Sequence, residues 1–300
     1  MGDINEGPVL EWAQQLNPPQ VFQRFRGSFS RQTGTYTEIG SRQFDVMRSV
    51  SRALDQPLLA VGGWDHVLVF TTPDFPEIFK KRVSRNESAG VCACALSPDG
   101  ERLFVGMHAG DRTGMIQSWS VHKLKKHCRD TSLCTIVRTL AISPNGQLLA
   151  AGCDEDPKIR IWNTGTMEVA QELSGHTTEV RCIRYSPDGS MLASVEHAPS
   201  RLRVWDAKTG KLIARLDDSG NALAFSPDGT RLAVVSGMAD DRVGARVWSV
   251  AKRRRVRDFS GGPGSLSTSC VAFSANGRLL ACGGSFAGVV QLWDIASGKE

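Results

Sequence analysis

The sequence predicts an all-β chain built from repeated four-stranded antiparallel units. Nearly the same phrase recurs five times: "LSPDGERLFV" from Leu96, "ISPNGQLLAA" from Ile142, "YSPDGSMLAS" from Tyr185, "FSPDGTRLAV" from Phe225 and "FSANGRLLAC" from Phe273. Its serines, Ser97, Ser143, Ser186, Ser226 and Ser274, stand 46, 43, 40 and 48 residues apart, and self-similarity at such a period marks a repeat architecture. Tryptophans keep the same beat, with Trp119, Trp162, Trp205, Trp248 and Trp293 at intervals of 43, 43, 43 and 45 residues. Finally, the residues before each serine alternate in size. Leu96, Ile142, Tyr185, Phe225 and Phe273 are bulky, while Ala95, Ala141, Ala224 and Ala272 next to them are small and only Arg184 breaks the set. Bulky faces set against small ones let neighbouring sheets pack about 10 Å apart.

One unit shows how each element is read. In "EVRCIRYSPDGSMLASVEHAPSRLRVWDAKTGKLIARL" a first strand runs to Tyr185, a second from Met191 to Val195, a third ends at Trp205 and a fourth starts at Leu212. Pro-Asp-Gly makes the first turn, because Pro presets φ, Asp bonds its own backbone and Gly accepts positive φ. A degenerate earlier unit, "FDVMRSVSRALDQPLLAVGGWDHVLVF", carries Phe70 in the tryptophan place. Six sets of first, second and third strands result, and "WDIASGKE" follows the last third strand without a fourth.

Strands ending in "IRIWNT", "LRVWDA", "ARVWSV" and "VQLWDI", with Gly175-His176 ahead of Trp205-Asp206, resemble the WD-repeat (WD40) β-propeller family over about residues 44–300. The resemblance implies a propeller of six visible blades, each recurrent phrase marking a first-to-second-strand turn; a truncated seven-bladed ring is the competing reading. It also implies a buried network in which a Gly-His histidine, a Ser or Thr, an Asp and the Trp indole are linked. His176, Ser194 and Trp205 match within one unit, but the Asp position holds Pro199, so the network is expected to be incomplete there. Asp156 fills that position before Trp162 in a unit lacking Gly-His.

Ahead of the propeller, residues 1–19 form a helical or extended segment, with Val9, Trp12, Ala13 and Leu16 of "PVLEWAQQLN" on one helical face. The remaining residues, 20–300, are assigned to the propeller. Residues 20–27, "QVFQRFRG", alternate as a strand should and are the candidate for closing the last blade; residues 28–43 read as a linker loop.

Composition narrows the function classes. The chain has 300 residues and a net charge of +5, too mild alone to imply nucleic acid or membrane binding. Eight dispersed cysteines and no secretory leader pattern favour a reduced cytoplasmic setting, with the nucleus also open. No apolar run reaches the ~18 residues of a membrane span. Cys92 and Cys94 lack a second ligand pair at zinc spacing, and no HExxH, GxSxG or phosphate-loop motif occurs. The expectation is therefore a non-catalytic chain with no cofactor and no metal site.

Two groups of residues remain as binding candidates. Basic clusters fall in or beside fourth strands: Lys80, Lys81 and Arg82; Lys125 and Lys126; and Arg253, Arg254 and Arg255. On a propeller these line the outer rim, where they guard strand edges or meet anionic lipid or nucleic acid. For peptide recognition the family resemblance points to the narrow top face, implying Ile136, Arg138, Glu155, Glu179, Arg181, Ser219 and Asn221. Arg138 and Arg181, from adjacent units, suit an acidic or phosphorylated segment, since each guanidinium can grip two oxygens at once; pairing with Glu155 and Glu179 is the alternative. The function this implies is a protein-protein interaction scaffold within a larger complex. The alternatives are a phosphate-surface binder acting through the basic rim and a propeller fragment of a larger regulatory protein.

Overall fold

The computed structural model describes residues 49–63, 66–71, 77–82, 90–108, 113–123, 125–126, 131–133, 136–196, 201–218, 220–235, 243–260, 268–284 and 290–299. The expected N-terminal helix, the closing strand at residues 20–27 and the linker lie outside them. Among the described residues there is no helix, and 24 strands build six antiparallel sheets.

Contacts divide the chain into two compact units, Met1–Ser132 and Leu133–Glu300. The first unit holds two sheets. One is β1 (Ser49–Arg52), β2 (Leu58–Gly62), β3 (His66–Thr71) and β4 (Glu77–Arg82) in sequential order. The next is β5 (Gly90–Leu96), β6 (Arg102–His108), β7 (Gly114–Ser120) and β8 (Lys125–Lys126), with β9 (Thr131–Leu133) also paired to β7. Val67 and Val69 of one sheet share a buried cluster with Cys94, Leu96, Val105 and Trp119 of the other. Phe70, in the tryptophan position of its unit, is buried as well.

Three four-stranded sheets and one three-stranded sheet make the second unit. They are β10 (Val137–Ile142) to β13 (Val169–Leu173) through β11 (Leu148–Cys153) and β12 (Asp156–Asn163); and β14 (Val180–Tyr185), β15 (Met191–Glu196), β16 (Leu202–Asp206) and β17 (Leu212–Leu216). Then follow β18 (Ala222–Phe225), β19 (Arg231–Val235), β20 (Val243–Ser249) and β21 (Arg254–Ser260), and finally β22 (Thr268–Phe273), β23 (Leu279–Gly284) and β24 (Val290–Asp294). The alternation of bulky and small residues is used between sheets. Ala141 and Ala150 of one sheet pack with Ile183, Leu192 and Trp205 of the next, and Ala222 and Ala233 pack with Leu280 and Trp293. An alanine leaves the room that an indole fills, so each repeat buries its apolar face only when a neighbour stacks on it.

The recurrent phrase owes its serine to the turn. Ser186 is fully buried; its hydroxyl donates to Asp188 Oδ1 (2.5 Å) and accepts the Met191 backbone N–H (2.9 Å), tying the start of the second strand to the end of the first. Ser143, Ser226 and Ser274 make the same pair of bonds, to Asn145, Asp228 and Asn276 on one side and to the N–H five residues on. Gly189 completes the turn at φ 72°, in the left-handed region where a side chain is strained.

Candidate functional site

The polar centre of the β14–β17 sheet is built from residues that the strand pattern would otherwise make apolar. Ser194 lies mid-strand in β15, opposite Arg203 of β16, and Trp205 stands two residues further on. His176 enters from the segment before β14 and places Nε2 2.6 Å from Ser194 Oγ, which also accepts the Trp205 indole N–H at 2.8 Å. Its ring lies 5.9 Å from that indole, tilted by 57°. Beyond the imidazole sits Glu196, the last residue of β15. Its Oε2 accepts the Thr177 backbone N–H at 2.6 Å and stands 3.2 Å from His176 Nδ1, while Oε1 accepts from Arg203 Nη1 at 3.2 Å. Arg203 also reaches His176 Nδ1 at 2.6 Å and the Gly175 carbonyl.

The expectation that this network stops at Pro199 is corrected here: a carboxylate is present, supplied by Glu196. Sequence reasoning looked for it six residues before the tryptophan and missed one on the strand itself. The physical reason is Arg203, fully buried two residues before Trp205, which needs a carboxylate partner at its own level of the sheet.

Electrostatics follow from the burial. The loss of hydration, and then the Arg203 charge, press the His176 pKa down to about 4 against the opposing pull of Glu196. His176 is therefore neutral near pH 7. A guanidinium can only donate, so its approach makes Nδ1 the acceptor and leaves Nε2–H to donate to Ser194. Burial opposes ionisation of Glu196, but the Thr177 N–H, His176, the Thr178 N–H and Arg203 outweigh it and hold its pKa below the ordinary value.

The same arginine recurs in two other sheets, each time with a different partner. Arg160, two before Trp162, pairs with Asp156 (2.6 Å) and Glu172 (3.1 Å). Arg246, two before Trp248, pairs with buried Asp218 (2.8 Å), whose other oxygen accepts the Trp248 indole N–H at 2.5 Å. Asp156 therefore serves Arg160. The Trp162 indole nitrogen, although buried, has no hydrogen-bond partner among the described residues. The signal in the sequence was the arginine of "IRIW", "LRVW" and "ARVW".

Such repeats have known counterparts. A family profile described as WD domain, G-beta repeat matches residues 118–163, 167–206 and 254–294. Those three segments are WD repeats. The chain is similar to the Periodic tryptophan protein 2 homolog of Dictyostelium discoideum, 25% identical over 254 residues that make up 84% of this chain. The match spans only 22% of that protein's length. Its fold resembles that of a chain in the crystal structure of a Mitotic Checkpoint Complex, with a TM-score of 0.69 at 21% identity over 84% of this chain and 77% of that one. The fold is that of a WD40 β-propeller, and the sheets above are its blades.

The described top-face candidates lie at strand ends and turns of these blades. Arg138 and Arg181 are the second residues of the neighbouring first strands β10 and β14. Arg138 Nε donates to Asp154, and Arg181 Nη2 stands 2.5 Å from Glu179; the arginine side chains remain 41% and 29% exposed. The carboxylate beside Arg138 thus comes from Asp154, one residue ahead of the expected Glu155. Glu155 adopts φ 55° in the tight turn between β11 and β12. Ile136 accepts the Asp154 N–H at 2.8 Å through its carbonyl, and the Asn221 N–H donates to the Val235 carbonyl at 2.8 Å. Ser219 lies outside the described residues.

Of the basic clusters, Lys80, Lys81 and Arg82 lie in β4, Lys125 and Lys126 form β8, and Arg254 and Arg255 open β21 behind Arg253, which takes φ 50°. Arg255 lies 5.7 Å over the Trp248 ring and 3.1 Å from Asp258. Cys92 and Cys94 are in β5 as expected of strand-lining thiols, and among the described residues no three His, Cys, Asp or Glu side chains cluster as a metal site would require.

Proposed function

We propose that this chain is a non-catalytic WD-repeat scaffold that binds an acidic or phosphorylated protein segment at the blade ends carrying Arg138 and Arg181. One observation supports the reading most directly: two partly exposed guanidiniums, at equivalent places on neighbouring strands, are each steadied by a carboxylate of their own blade. Asp154 holds Arg138 through Nε, and Glu179 holds Arg181 through one terminal nitrogen. Arginines oriented this way lose less side-chain freedom when an incoming carboxylate or phosphate docks, so the pairs preorganise the surface. A built-in carboxylate also competes with weakly charged ligands, which favours segments bearing several negative charges.

The test is peptide binding by fluorescence anisotropy, using a phosphoserine- and glutamate-rich library, with the full chain and its Arg138→Gln/Arg181→Gln variant. Selected peptides should bind the parent chain and lose affinity by about tenfold or more in the double variant, as expected when charge-assisted hydrogen bonds are removed. Peptides that bind both proteins equally would place recognition on another face.

A further inference from the structure

We infer that a second, separate site lies between the last two described blades: an arginine-lined pocket for a phosphate group. A cavity of about 360 Å³ opens there, lined by Arg231, Arg257, Arg278, Asp294, Asn276 and Ile295 among others. Arg231 begins β19, Arg257 lies within β21, and Arg278 ends the turn that leads into β23, so three arginines from two blades line one space. This site is independent of the Arg138 and Arg181 surface.

Its lining is richer in positive than in negative charge, three arginines against the carboxylate of Asp294, which feels the Arg278 charge; Asp228 likewise feels that of Arg231. Among the described residues no carboxylate oxygen stands within ion-pair distance of Arg231, Arg257 or Arg278. Every other blade-core arginine discussed above has such a partner. The acidic residue of the lining, Asp294, is already committed: its Oδ1 accepts both the Ser297 backbone N–H (2.7 Å) and the Ser297 hydroxyl (2.9 Å). Those bonds, the backbone one first, hold its pKa below the ordinary value, with a smaller contribution from the Arg278 charge. Three like charges around one cavity repel, and a phosphate dianion would relieve that repulsion while accepting from several guanidinium N–H groups at once.

The scaffold under the arginines is stiff. The Arg231 backbone N–H donates to Ser226 Oγ (2.9 Å), that of Arg278 donates to Asn276 Oδ1 (3.0 Å), and the Arg278 carbonyl accepts from Ile295 N–H (2.8 Å). Gly298, at φ 75°, lets the Arg257 guanidinium lie across the turn after β24; a Cβ there would collide with its Nη1. Between the β10–β13 and β14–β17 blades, the matching place is held by neutral Gln171, which donates to the Lys208 carbonyl across the same kind of turn at 2.7 Å, and in β17 it is held by Ala214. An uncharged residue meets the structural need at that position, so the charge of Arg257 calls for a different account.

Isothermal titration of the full chain with pyrophosphate at fixed ionic strength tests the assignment. One site per chain is expected, weakened about tenfold by Arg231→Gln and by Arg278→Gln, and tightened by Asp294→Asn, which keeps the turn acceptor and removes the repelling charge. Arg138→Gln should leave it unchanged. Arg278 is exposed, so its variant keeps the test valid if Arg231→Gln misfolds. A parallel arm sediments the chain with phosphatidylcholine vesicles containing a phosphorylated inositol lipid. Sedimentation lost in the pocket variants assigns the phosphate to a lipid headgroup; pyrophosphate binding without sedimentation assigns it to a soluble phosphate ester. Absence of both, or binding that survives the substitutions, overturns the proposal.

Discussion

Glu196 faces His176 across 3.2 Å with both side chains fully buried, and it does so from a strand where an apolar residue was the default. The pair closes a chain of contacts that runs Arg203, Glu196, His176, Ser194, Trp205 through the middle of one blade. Buried polar chains of this kind hold a sheet in one register when every member is satisfied, and fail abruptly when one is removed.

Removing Glu196 should therefore cost more than removing the serine. Glu196→Ala leaves the Arg203 charge buried without its partner, a loss of about 3–5 kcal/mol. Ser194→Ala orphans the Trp205 N–H and one imidazole nitrogen, about 2 kcal/mol. Urea unfolding of the two variants checks the order; equal midpoints would show that Glu196 does not carry the ion pair.

Acid should loosen this blade above the range in which ordinary carboxylates titrate. The His176 pKa is depressed from 6.5 to about 4, so the folded state binds fewer protons than the unfolded one between those values. Its stabilising contribution is complete above pH 6.5 and lost as pH falls toward 4, up to about 3 kcal/mol in all. Glu196, whose pKa is also lowered, adds a loss at still lower pH. Melting temperatures at pH 7 and pH 5 should differ more for the parent chain than for His176→Gln, and a parent Tm that does not move would count against the assignment.

Trp162 and Trp205 occupy the same place in successive repeats, yet Trp→Phe should not cost the same. Trp205 donates to Ser194 at 2.8 Å, whereas the Trp162 nitrogen finds no hydrogen-bond partner among the described residues. Trp205→Phe is expected to be more destabilising by about 1–2 kcal/mol, the worth of a buried hydrogen bond whose acceptor is left behind. Chemical denaturation of the two variants decides it.

Ser186→Ala should destabilise by about 1–2 kcal/mol, although the residue lies in a turn, because its fully buried hydroxyl both donates to Asp188 and accepts from Met191. Amide exchange at Met191 should accelerate in the variant; unchanged protection there would assign the serine to packing alone.

Much of the fold was legible in the chain itself. The five serine turns, the tryptophan beat and the alternation of Ile183 with Arg184 or Leu140 with Ala141 are local facts. A four-stranded unit needs little more than turns at the right places and apolar faces of period two. His176, Ser194 and Trp205 could be grouped because their spacing repeats a pattern tied to strand register, and register is set by those same turns.

What lay beyond the sequence were contacts between side chains whose spacing carries no period. Glu196, Asp218 and Asp156 sit at three unrelated positions in their repeats, yet each meets the arginine two places before its tryptophan. That choice depends on which carboxylate the strand ends and turns bring to the level of the guanidinium. Likewise Arg231, Arg257 and Arg278 are scattered over two repeats and become neighbours only when one blade stacks on the next. Local order determined the strands, because backbone hydrogen bonding and side-chain alternation act over a few residues. The partners of the buried charges were decided by tertiary structure, because Coulomb attraction depends on distance in space and takes no account of separation along the chain.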